Sequence, residues 1–467
     1  MQLRKWQAES IKLALDHYQE ISKHFLCLAT PGAGKTVMAA EVAAKLYEQD
    51  KIDFVLCFSP SSTVSQSITY TFTKRFGARF DGVIGAIGCS YTYQNIMFFK
   101  EDFWQLLKNN RVLVVFDEIH HCSGSSLENA NAWGEEIIQN IQQQATFTLA
   151  LTGTPWRSDN APIVLSNYSD PDGLIQCDYI YGLKDAVQDR VCRIPTLVLI
   201  DNEKISVTDE DNQKKVFTGL QELLNQSIVS YQSVITNDYV MKDILKRGCD
   251  KLKLIRSCNP NAGALAVASS VEHAVQIIKL LRETFNQTAV LVTYKQVKPS
   301  EIIDQFRYSN TQWIVSVGMV SEGTDIPRLQ VCCHLSRIKT ELYFRQVLGR
   351  ILRINEAQNQ EAWLYTFAEK KLSEFANRIK DDLPDYNVVI NEDFSIEEFD
   401  KSGTTRKKTE QLREQPFEWD EPANNESTDL NNSEKSFADQ NSNVFQHSIE
   451  MLGMFREQII ATFESPL

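Results

Sequence analysis

The sequence predicts an α/β protein with two domains, each a mostly parallel β-sheet with helices on both faces, followed by a largely disordered acidic tail that ends in a helix. Apolar runs typical of buried strands alternate with helix-forming runs before residue 200, and the alternation starts again at residue 263. A polar stretch with few apolar residues follows between positions 400 and 442. A chain of 467 residues is also long enough for two or three domains with separate cores.

The same alternation sets the boundaries that we expect. They are a first domain at 1–195, a helical connector at 196–260, a second domain at 261–390, an acidic low-complexity linker at 391–442 and an amphipathic helix at 443–467. The final helix is predicted from the spacing of six apolar residues, Phe445, Ile449, Leu452, Phe455, Ile459 and Phe463. It either folds back on the body of the protein or docks on a protein partner.

The net charge of −13 is concentrated at the C-terminal end of the chain. Residues 391–467 carry 17 acidic and 7 basic side chains, which leaves a net charge of −3 on the first 390 residues. A near-neutral body can still present a basic groove, so the acidic total does not exclude nucleic acid. The ten cysteines follow no disulfide or zinc spacing, and no apolar run approaches the length of a membrane span. These features indicate a soluble, cytoplasmic protein.

The stretch Ala29–Thr36, with the sequence ATPGAGKT, separates an apolar strand from a helix-forming run. Small residues at Gly32, Ala33 and Gly34 allow the backbone to fold over a phosphate chain with its N–H groups pointing inward. Lys35 is then placed to reach the β- and γ-phosphates, and the Thr36 hydroxyl is placed to ligate Mg²⁺. The strand–loop–helix context predicts a nucleotide site here, although the usual pattern has glycine where this chain has Ala29.

A helix is predicted over residues 4–20, a short loop upstream of the phosphate strand. Gln7 lies on this helix and could hydrogen-bond the edge of an adenine ring. It could equally be a solvated side chain at a helix end, and the sequence leaves both interpretations open.

A second strand delivers two carboxylates to the same edge of the first sheet. The run Arg111–Phe116 is apolar apart from its first residue, as expected of a central parallel strand, and Asp117 and Glu118 follow it directly. One carboxylate is needed to hold Mg²⁺ and another to polarise the attacking water. We therefore assign the metal to Asp117 and the general base to Glu118.

A helix in the second domain carries three side chains that point to one side. Gln346 and Arg350 are four residues apart, and Arg350 and Arg353 are three apart. Two guanidiniums on one face can neutralise the charge that builds on a transferring γ-phosphate. A solvated helix face is the simpler interpretation of two arginines, but the preceding loop Gly323–Pro327 favours a nucleotide site.

Polar residues at the ends of other strands are candidates for contact with nucleic acid. They are Pro60 and Ser61 after the second strand, Thr92 after a strand predicted at Gly82–Gly88, Arg157 after the strand that ends at Leu151, and Ser269 and Ser270 after the strand at 263–268. Ligands of parallel sheets bind beyond the carboxyl ends of the strands. Helix capping explains Ser61 equally well, and core aromatics with a cap explain the segment around Thr92.

Taken in order, these motifs resemble those of the superfamily 2 helicases and translocases over residues 1–380. The corresponding segments are Ala29–Thr36 (motif I), Ser59–Thr63 (Ia), Asp117–His120 (II, as DEIH), Thr152–Pro155 (III), Ala266–Ser270 (IV), Ser316–Pro327 (V) and Gln346–Arg353 (VI, as QxxGRxxR). Any one of them alone is modest support, whereas seven in the right order are specific.

The resemblance implies two RecA-like lobes with ATP and Mg²⁺ between them and a nucleic-acid strand across the tops of both sheets. The first lobe would then contribute Lys35, Thr36, Asp117 and Glu118 to the nucleotide site. The second lobe would contribute Gly323, Asp325, Gln346, Arg350 and Arg353.

Two of the motifs favour one branch of this superfamily. The stretches Thr152–Arg157 and Glu322–Pro327 resemble those of the DNA-acting, restriction-subunit and RadD-like branch more than those of DEAD-box RNA helicases, which carry Asp-Glu-Ala-Asp and Ser-Ala-Thr. DNA is therefore favoured over RNA, with an RNA helicase as an alternative. A role in DNA repair or antiphage defence is a hypothesis that rests on this analogy.

Two functions from different classes fit the sequence. One is an ATPase that moves along DNA, with the residues above in its active site. The other is a nucleotide-gated interaction subunit of a multi-protein complex, in which closure of the lobes controls a partner held by the acidic tail and the terminal helix.

Overall fold

The computed structural model describes residues 3–20, 22–126, 129–154, 161–169, 175–208, 213–227, 229–293, 295–296, 298–318, 325–380 and 448–461. Two of the predicted site residues, Arg157 and Gly323, lie outside these ranges. The linker predicted at 391–442 lies outside them as well.

The first lobe is built on a six-stranded sheet. Its strands are β1 (His24–Ala29), β2 (Phe54–Ser59), β3 (Gly88–Thr92), β4 (Val112–Asp117), β5 (Phe147–Thr152) and β8 (Tyr179–Tyr181). They lie in the order β3-β2-β4-β5-β1-β8, and every pairing between neighbours is parallel. Because β4, β5 and β1 are adjacent, their carboxyl ends meet at one edge of the sheet. A separate pair, β6 (Asn167–Tyr168) and β7 (Ile175–Gln176), is antiparallel.

Helices cover both faces of this sheet. They are α1 (Lys5–Glu20), α2 (Lys35–Glu48), α3 (Ser62–Phe76), α4 (Tyr93–Ile96), α5 (Glu101–Asn109), α6 (Ala132–Glu136) and α7 (Leu183–Gln188). Successive residues of β4 belong to opposite cores: Leu113 packs in the cluster formed with α1, α2 and α3, whereas Val114 packs in the cluster formed with α4 and α5. Burial on both sides explains why the strand is an uninterrupted apolar run.

The second lobe is built on a seven-stranded sheet. Its strands are β9 (Ile194–Asn202), β12 (Gly263–Ala268), β13 (Ala289–Val292), β14 (Trp313–Ser316), β15 (Leu329–Leu335), β16 (Glu361–Phe367) and β18 (Phe455–Ala461), in the order β13-β14-β12-β15-β16-β9-β18. Only the pairing of β18 with β9 is antiparallel. A small antiparallel sheet beside it contains β10 (Ile205–Thr208), β11 (Lys214–Phe217) and β17 (Ser448–Met451).

The helices of this lobe complete a second layered α/β unit. They are α8 (Leu220–Gln226), α9 (Tyr231–Ile235), α10 (Asp238–Cys258), α11 (Val271–Lys279), α12 (Pro299–Tyr308), α13 (Glu341–Ile351) and α14 (Lys370–Lys380). The predicted fold class, two mostly parallel sheets covered by helices, is confirmed. Among the described residues, none of these helices has both the length and the hydropathy needed to cross a membrane.

The prediction of a helical connector at 196–260 is wrong at its start. A strand begins near residue 194 as the sequence suggests, but this strand, β9, pairs with β16 inside the second sheet. Two further strands, β10 and β11, follow before the helices begin at Leu220. The buried run Leu197–Ile200 finds its partner more than 150 residues downstream, which no local pattern can show.

The helix predicted at the end of the chain is also wrong within the described residues. Residues 448–451 and 455–461 are strands that pair with the edges of β10 and β9. The apolar spacing suits a helix, yet Leu452 and Ile459, which that helix would bury, are 54% and 57% exposed, whereas Ile460 is only 3% exposed. Tertiary pairing with two open strand edges outweighs the local pattern. Phe445 and Phe463 lie outside the described residues.

The strand predicted at Gly82–Gly88 lies later in the chain than expected. Gly82 and Gly85 have φ values of 73° and 87° and form turns, and β3 begins only at Gly88. Ile84, in the middle of the predicted strand, is 98% exposed. The apolar run therefore forms a surface turn at the start of an edge strand.

Candidate functional site

The turn between β1 and α2 has the geometry of a phosphate-binding loop. Gly32 and Gly34 have φ values of 86° and 94°, in the left-handed region that favours glycine, and α2 begins at the next residue, Lys35. Main-chain N–H groups at the start of a helix have no intrahelical acceptors and attract anions. The loop therefore offers a site for phosphate beyond the carboxyl end of β1.

Two side chains of α1 and the residues before it hold this loop from behind. Arg4 Nη1 donates to the main-chain oxygen of Ala33 at 2.6 Å, and Gln7 Nε2 donates to that of Gly34 at 3.0 Å. Gln7 Oε1 accepts from the N–H of Arg4 at 2.9 Å, so both ends of its amide already have partners in the chain. Gln7 thus supports the loop in this structure, and its predicted contact with adenine stays a prediction. Arg4, three residues before Gln7, lines the cleft itself.

The two predicted carboxylates lie at the end of β4, opposite the loop. Lys35 Nζ is 3.0 Å from Glu118 Oε1, and it also donates to the main-chain oxygen of Ala29 at 3.2 Å. The N–H of Gly153 donates to Glu118 Oε2 at 3.1 Å. Glu118 has φ 52° and ψ 54°, a left-handed conformation that is uncommon for a residue with a side chain. Contacts on both carboxylate oxygens fix the direction in which Glu118 points.

These neighbouring carboxylates have opposite electrostatic surroundings. Burial, followed by the nearby charge of Glu118, raises the pKa of Asp117. Burial would also raise the pKa of Glu118, but Lys35 and His120, together with the Gly153 N–H, outweigh it and lower that pKa. Glu118 is therefore held as a carboxylate, whereas Asp117 gains from any added positive charge beside it.

Asp117 also has an oxygen to offer a cation. Its Oδ1 is buried and has no hydrogen-bond partner among the described residues, which is costly for a carboxylate unless a ligand satisfies it. Thr36 lines the same cleft. A magnesium ion prefers few protein ligands, one or two carboxylates or hydroxyls, with phosphate oxygens and water completing its shell. The residues present fit Mg²⁺ bound together with a nucleotide.

A chain of hydrogen bonds links motif II to the end of β5. The Thr152 hydroxyl donates to the main-chain oxygen of Thr154 at 2.7 Å, so His120 Nδ1 donates to the Thr152 oxygen at 3.0 Å. His120 Nδ1 is also 3.5 Å from Glu118 Oε2. The motif III threonines are thus in contact with His120, two residues after Glu118.

The second lobe supplies the opposite wall of the cleft. The predicted residues Asp325, Gln346, Arg350 and Arg353 line one cavity of about 370 Å³ together with Lys35, Thr36, Asp117 and Glu118. Arg353 Nη1 forms an ion pair with Asp325 Oδ1. The structure therefore brings together the described residues that the motifs assign to the nucleotide, apart from Gln7 and the buried Ala33.

The two lobes touch where α13 meets the phosphate loop. A Cβ atom added at Gly349 would lie 2.7 Å from Pro31 Cβ, which is closer than real Cβ contacts allow. The glycine at position 349 of motif VI therefore sets the distance between α13 and the phosphate loop.

A residue that the sequence analysis missed anchors this second wall. Arg193 is 1% exposed, and its guanidinium donates to the main-chain oxygens of Leu329 at 2.6 Å, Pro327 at 2.9 Å and Ile351 at 3.3 Å. It ties the first residues of the second lobe to the ends of motifs V and VI. No local motif marks it, because its partners come from distant parts of the chain.

The hydroxyls proposed for nucleic acid are used within the chain. Ser61 caps α3 and Ser270 caps α11, each accepting from an N–H three residues later, at 3.4 and 3.1 Å. Thr92 bonds Asn95 at the start of α4, and the Ser269 hydroxyl is 2.8 Å from His273 Nδ1. Pro60 lines the cleft between the lobes. All lie at or just after the carboxyl ends of strands, and helix capping accounts for the contacts of Ser61, Thr92 and Ser270.

Comparison with known families agrees with the motif order. Residues 1–157 match the family described as the res subunit of type III restriction enzymes. Residues 249–355 match the family described as the helicase conserved C-terminal domain.

Individual relatives are more distant. An uncharacterized protein of Mycobacterium leprae is 29% identical over 363 residues, which cover 75% of this chain and 59% of that protein. A Sulfurisphaera tokodaii protein named DNA 3'-5' translocase XPB2 is 22% identical over 402 residues, which cover 80% of this chain and 83% of that protein. The chain thus spans about three fifths of the length of its mycobacterial relatives.

A solved structure shares the fold. The fragment assigned to an HsdR subunit of a type I restriction enzyme from Vibrio vulnificus superposes with a TM-score of 0.57 and 16% identity, covering 80% of this chain and 66% of that chain. This likeness shows the fold. The two family matches, which together cover more than half of the chain, show with the seven motifs in order that the chain belongs to superfamily 2 of the helicases and translocases.

Proposed function

We propose that the chain is an ATP-dependent DNA translocase or helicase that hydrolyses ATP between its two lobes. The observation that carries this proposal is the position of Glu118. Its carboxylate is held by Lys35 and the Gly153 N–H in a cleft whose opposite wall is formed by Gln346, Arg350 and Arg353. A carboxylate fixed between a phosphate loop and a pair of arginines has the arrangement that phosphoryl transfer to water requires.

Each residue of the first lobe then has a defined task. The loop N–H groups would bind the β- and γ-phosphates together with Lys35, which pairs with Glu118 in this structure. Thr36 and Asp117 would hold Mg²⁺, which would neutralise charge on the phosphates. Glu118 orients the attacking water and accepts its proton, for which a lowered pKa keeps it ionised.

The second lobe stabilises the charge that develops during transfer. Arg350 and Arg353 can place two guanidiniums against the γ-phosphate, with Gln346 beside them. Because Arg353 is paired with Asp325 in this structure, it must exchange that partner for phosphate when the nucleotide is bound. Hydrolysis would thereby be coupled to closure of the lobes.

Replacing Glu118 with Gln tests the mechanism. We expect turnover to fall by roughly 100-fold or more, because the general base is lost, while ATP still binds. The matched control is Glu41→Gln, which removes the ion pair with Arg75 on the same lobe and should leave turnover unchanged. Steady-state ATPase assays and binding of a fluorescent ATP analogue separate the two effects. Full activity in Glu118→Gln would remove Glu118 from this role.

The nucleic-acid track is tested by ATPase assays alone and with single-stranded DNA, duplex DNA and RNA, each at two salt concentrations. Stimulation by DNA is expected, in keeping with the name of the Sulfurisphaera relative. Stimulation by RNA alone would favour an RNA helicase. No stimulation by any of them would favour a nucleotide-gated interaction subunit instead.

The proposed setting is the cytoplasm, in DNA repair or antiphage defence. All ten cysteines fall within the described residues and none forms a disulfide, as expected in a reducing compartment. The restriction-enzyme families that the chain resembles supply the analogy for defence.

A further inference from the structure

The backbone at Glu118, just after the peptide bond from Asp117, has an unusual conformation. Glu118 has left-handed φ and ψ values, which are unfavourable for a residue with a side chain. Such a conformation persists only where neighbouring groups hold it. The carboxylate contacts with Lys35 and Gly153 fix one end of the residue, so something must also fix the peptide that enters it.

A tyrosine hydroxyl holds that peptide. Tyr93 Oη donates to the main-chain oxygen of Asp117 at 2.8 Å, and its side chain is fully buried. The Tyr93 ring stacks on Trp133 with centroids 5.7 Å apart and 20° between the planes, which sets the direction of the hydroxyl. The torsion φ of Glu118 is a rotation about the bond that follows this peptide, so the orientation of the Asp117 carbonyl limits where the Glu118 side chain can point.

We propose that Tyr93 is a positioning residue for Glu118, whose hydroxyl holds the Asp117–Glu118 peptide in the orientation that aims the carboxylate at Lys35 and the Gly153 N–H. Tyr93 lies outside the lining of the nucleotide cleft, and its link to the site is the hydrogen bond to the backbone of Asp117. The inference rests on the proposed ATPase function, in which Glu118 is the general base. It adds a residue that none of the seven motifs contains.

A buried tyrosine could also use the nearest carbonyl merely to satisfy its hydroxyl, and the chain offers a control for this. Tyr18 is 9% exposed, and its Oη donates to the main-chain oxygen of Thr148 at 2.9 Å in the same lobe. Thr148 lies at the start of β5, at the edge of the sheet opposite the cleft. Tyr93→Phe and Tyr18→Phe each remove one hydroxyl that donates to a main-chain oxygen, and Tyr93→Phe also removes a contact with Cys122. Their costs in stability should therefore be similar.

The experiment compares both Phe variants with the wild type in the full chain. Tyr93→Phe should lower kcat for ATP hydrolysis by roughly tenfold, because Glu118 is displaced, while KM for ATP stays within about twofold. Tyr18→Phe should leave both constants unchanged. Hydrogen exchange read on the peptide that spans residues 117–119 should quicken in Tyr93→Phe and not in Tyr18→Phe.

Each result decides one claim. Equal kcat in Tyr93→Phe and wild type, or an equal loss in both variants, would overturn the positioning role. Absence of ATP hydrolysis in the wild type would instead overturn the proposed function, and the exchange rates at 117–119 would then decide the positioning role alone. Unchanged exchange there would reject it, and faster exchange confined to Tyr93→Phe would support it.

Discussion

Asp117 and Glu118 are adjacent in sequence, yet the chain treats them in opposite ways. Burial raises the pKa of Asp117, whereas Lys35 and His120 lower the pKa of Glu118 against the same burial. One group is thereby prepared for a cation and the other for a water molecule. The division follows from the ion pair with the lysine of the phosphate loop, which Glu118 forms and Asp117 does not.

His334 offers a residue-level prediction on stability. It is fully buried in β15, and burial lowers its pKa to about 4 from the ordinary value of about 6.5. Between pH 6.5 and pH 4 the His334 side chain is therefore protonated in the unfolded chain but not in the folded chain. The free energy of unfolding falls as the pH is lowered through this range. We expect the loss to reach roughly 3 kcal/mol.

The variant His334→Gln should show a shallower fall in unfolding free energy between pH 7 and pH 4 than the wild type. Denaturant titrations at several pH values provide the measurement. His273, also buried with a pKa lowered to about 4, remains in both proteins and leaves part of the slope. Identical slopes for the two proteins would show that His334 is not responsible.

The residues of the nucleotide site could be predicted because their chemistry is local. The phosphate loop needs small residues, a lysine and a hydroxyl in one short run of sequence. Two carboxylates directly after a buried strand form an equally clear local pattern. Arg193 and Tyr93 act on the backbone of distant segments, so nothing beside them in the sequence reveals their partners. The serine hydroxyls were ambiguous because capping and ligand binding demand the same residue type.

At the scale of elements, the contact between α13 and the phosphate loop sets how closely the lobes approach. Gly349→Ala would place a Cβ 2.7 Å from Pro31 Cβ and push the helix or the loop aside. Arg350 lies on this helix, and Arg353, predicted on the same helix, lies two residues beyond its end at Ile351. Because moving the helix displaces both guanidiniums, we expect kcat for ATP hydrolysis to fall by roughly 10- to 100-fold. Steady-state assays of the purified variant measure the change.

Gly182→Ala is the control for this substitution. Gly182 precedes α7 with an ordinary φ of −72°, and an added Cβ would meet its nearest neighbour at 3.7 Å, an ordinary contact. Its activity should match the wild type. If Gly349→Ala were equally active, the close approach to Pro31 would not govern turnover.

The C-terminal strands β17 and β18 show why the predicted C-terminal helix is wrong. An apolar residue every three or four positions suits an amphipathic helix, but the same residues also allow strands when an open sheet edge is available. The edges of β9 and β10 are open in this way, and β18 and β17 pair with them. Helices earlier in the chain, such as α1 and α10, were predictable because no such edge competes for them.

Two adjacent isoleucines distinguish strand from helix in solution. Ile460 is 3% exposed and Ile459 is 57% exposed in β18, whereas a helix with the predicted apolar face would bury Ile459. Ile460→Ala should lower the unfolding free energy by about 2 kcal/mol and Ile459→Ala by well under half of that. Denaturant unfolding of both variants measures the difference. A larger loss of stability in Ile459→Ala than in Ile460→Ala would support the predicted helix instead of the strand.

At the scale of the whole molecule, neither lobe has a complete site. The phosphate loop and both carboxylates come from the first sheet, and the arginines come from the second. The alternation of strands and helices was enough to predict two such sheets, but the order of strands within them was not, because it depends on pairings across most of the chain. The placement of β9 between β16 and β18 is the extreme case.

That placement has a consequence for how the protein is made on the ribosome. All six strands of the first sheet have been synthesised once residue 181 is added, so the first lobe can fold early. Strand β9, which follows after α7, has no neighbouring strand in its sheet until β16 is made from residue 361 onward. At about 5–20 residues per second it waits on the order of 8–30 s with its apolar residues unpaired. The nascent chain thus carries a formed phosphate loop for many seconds before Arg350 and Arg353 have been synthesised to complete the site. During that time β9 is the segment that a chaperone would most need to shield.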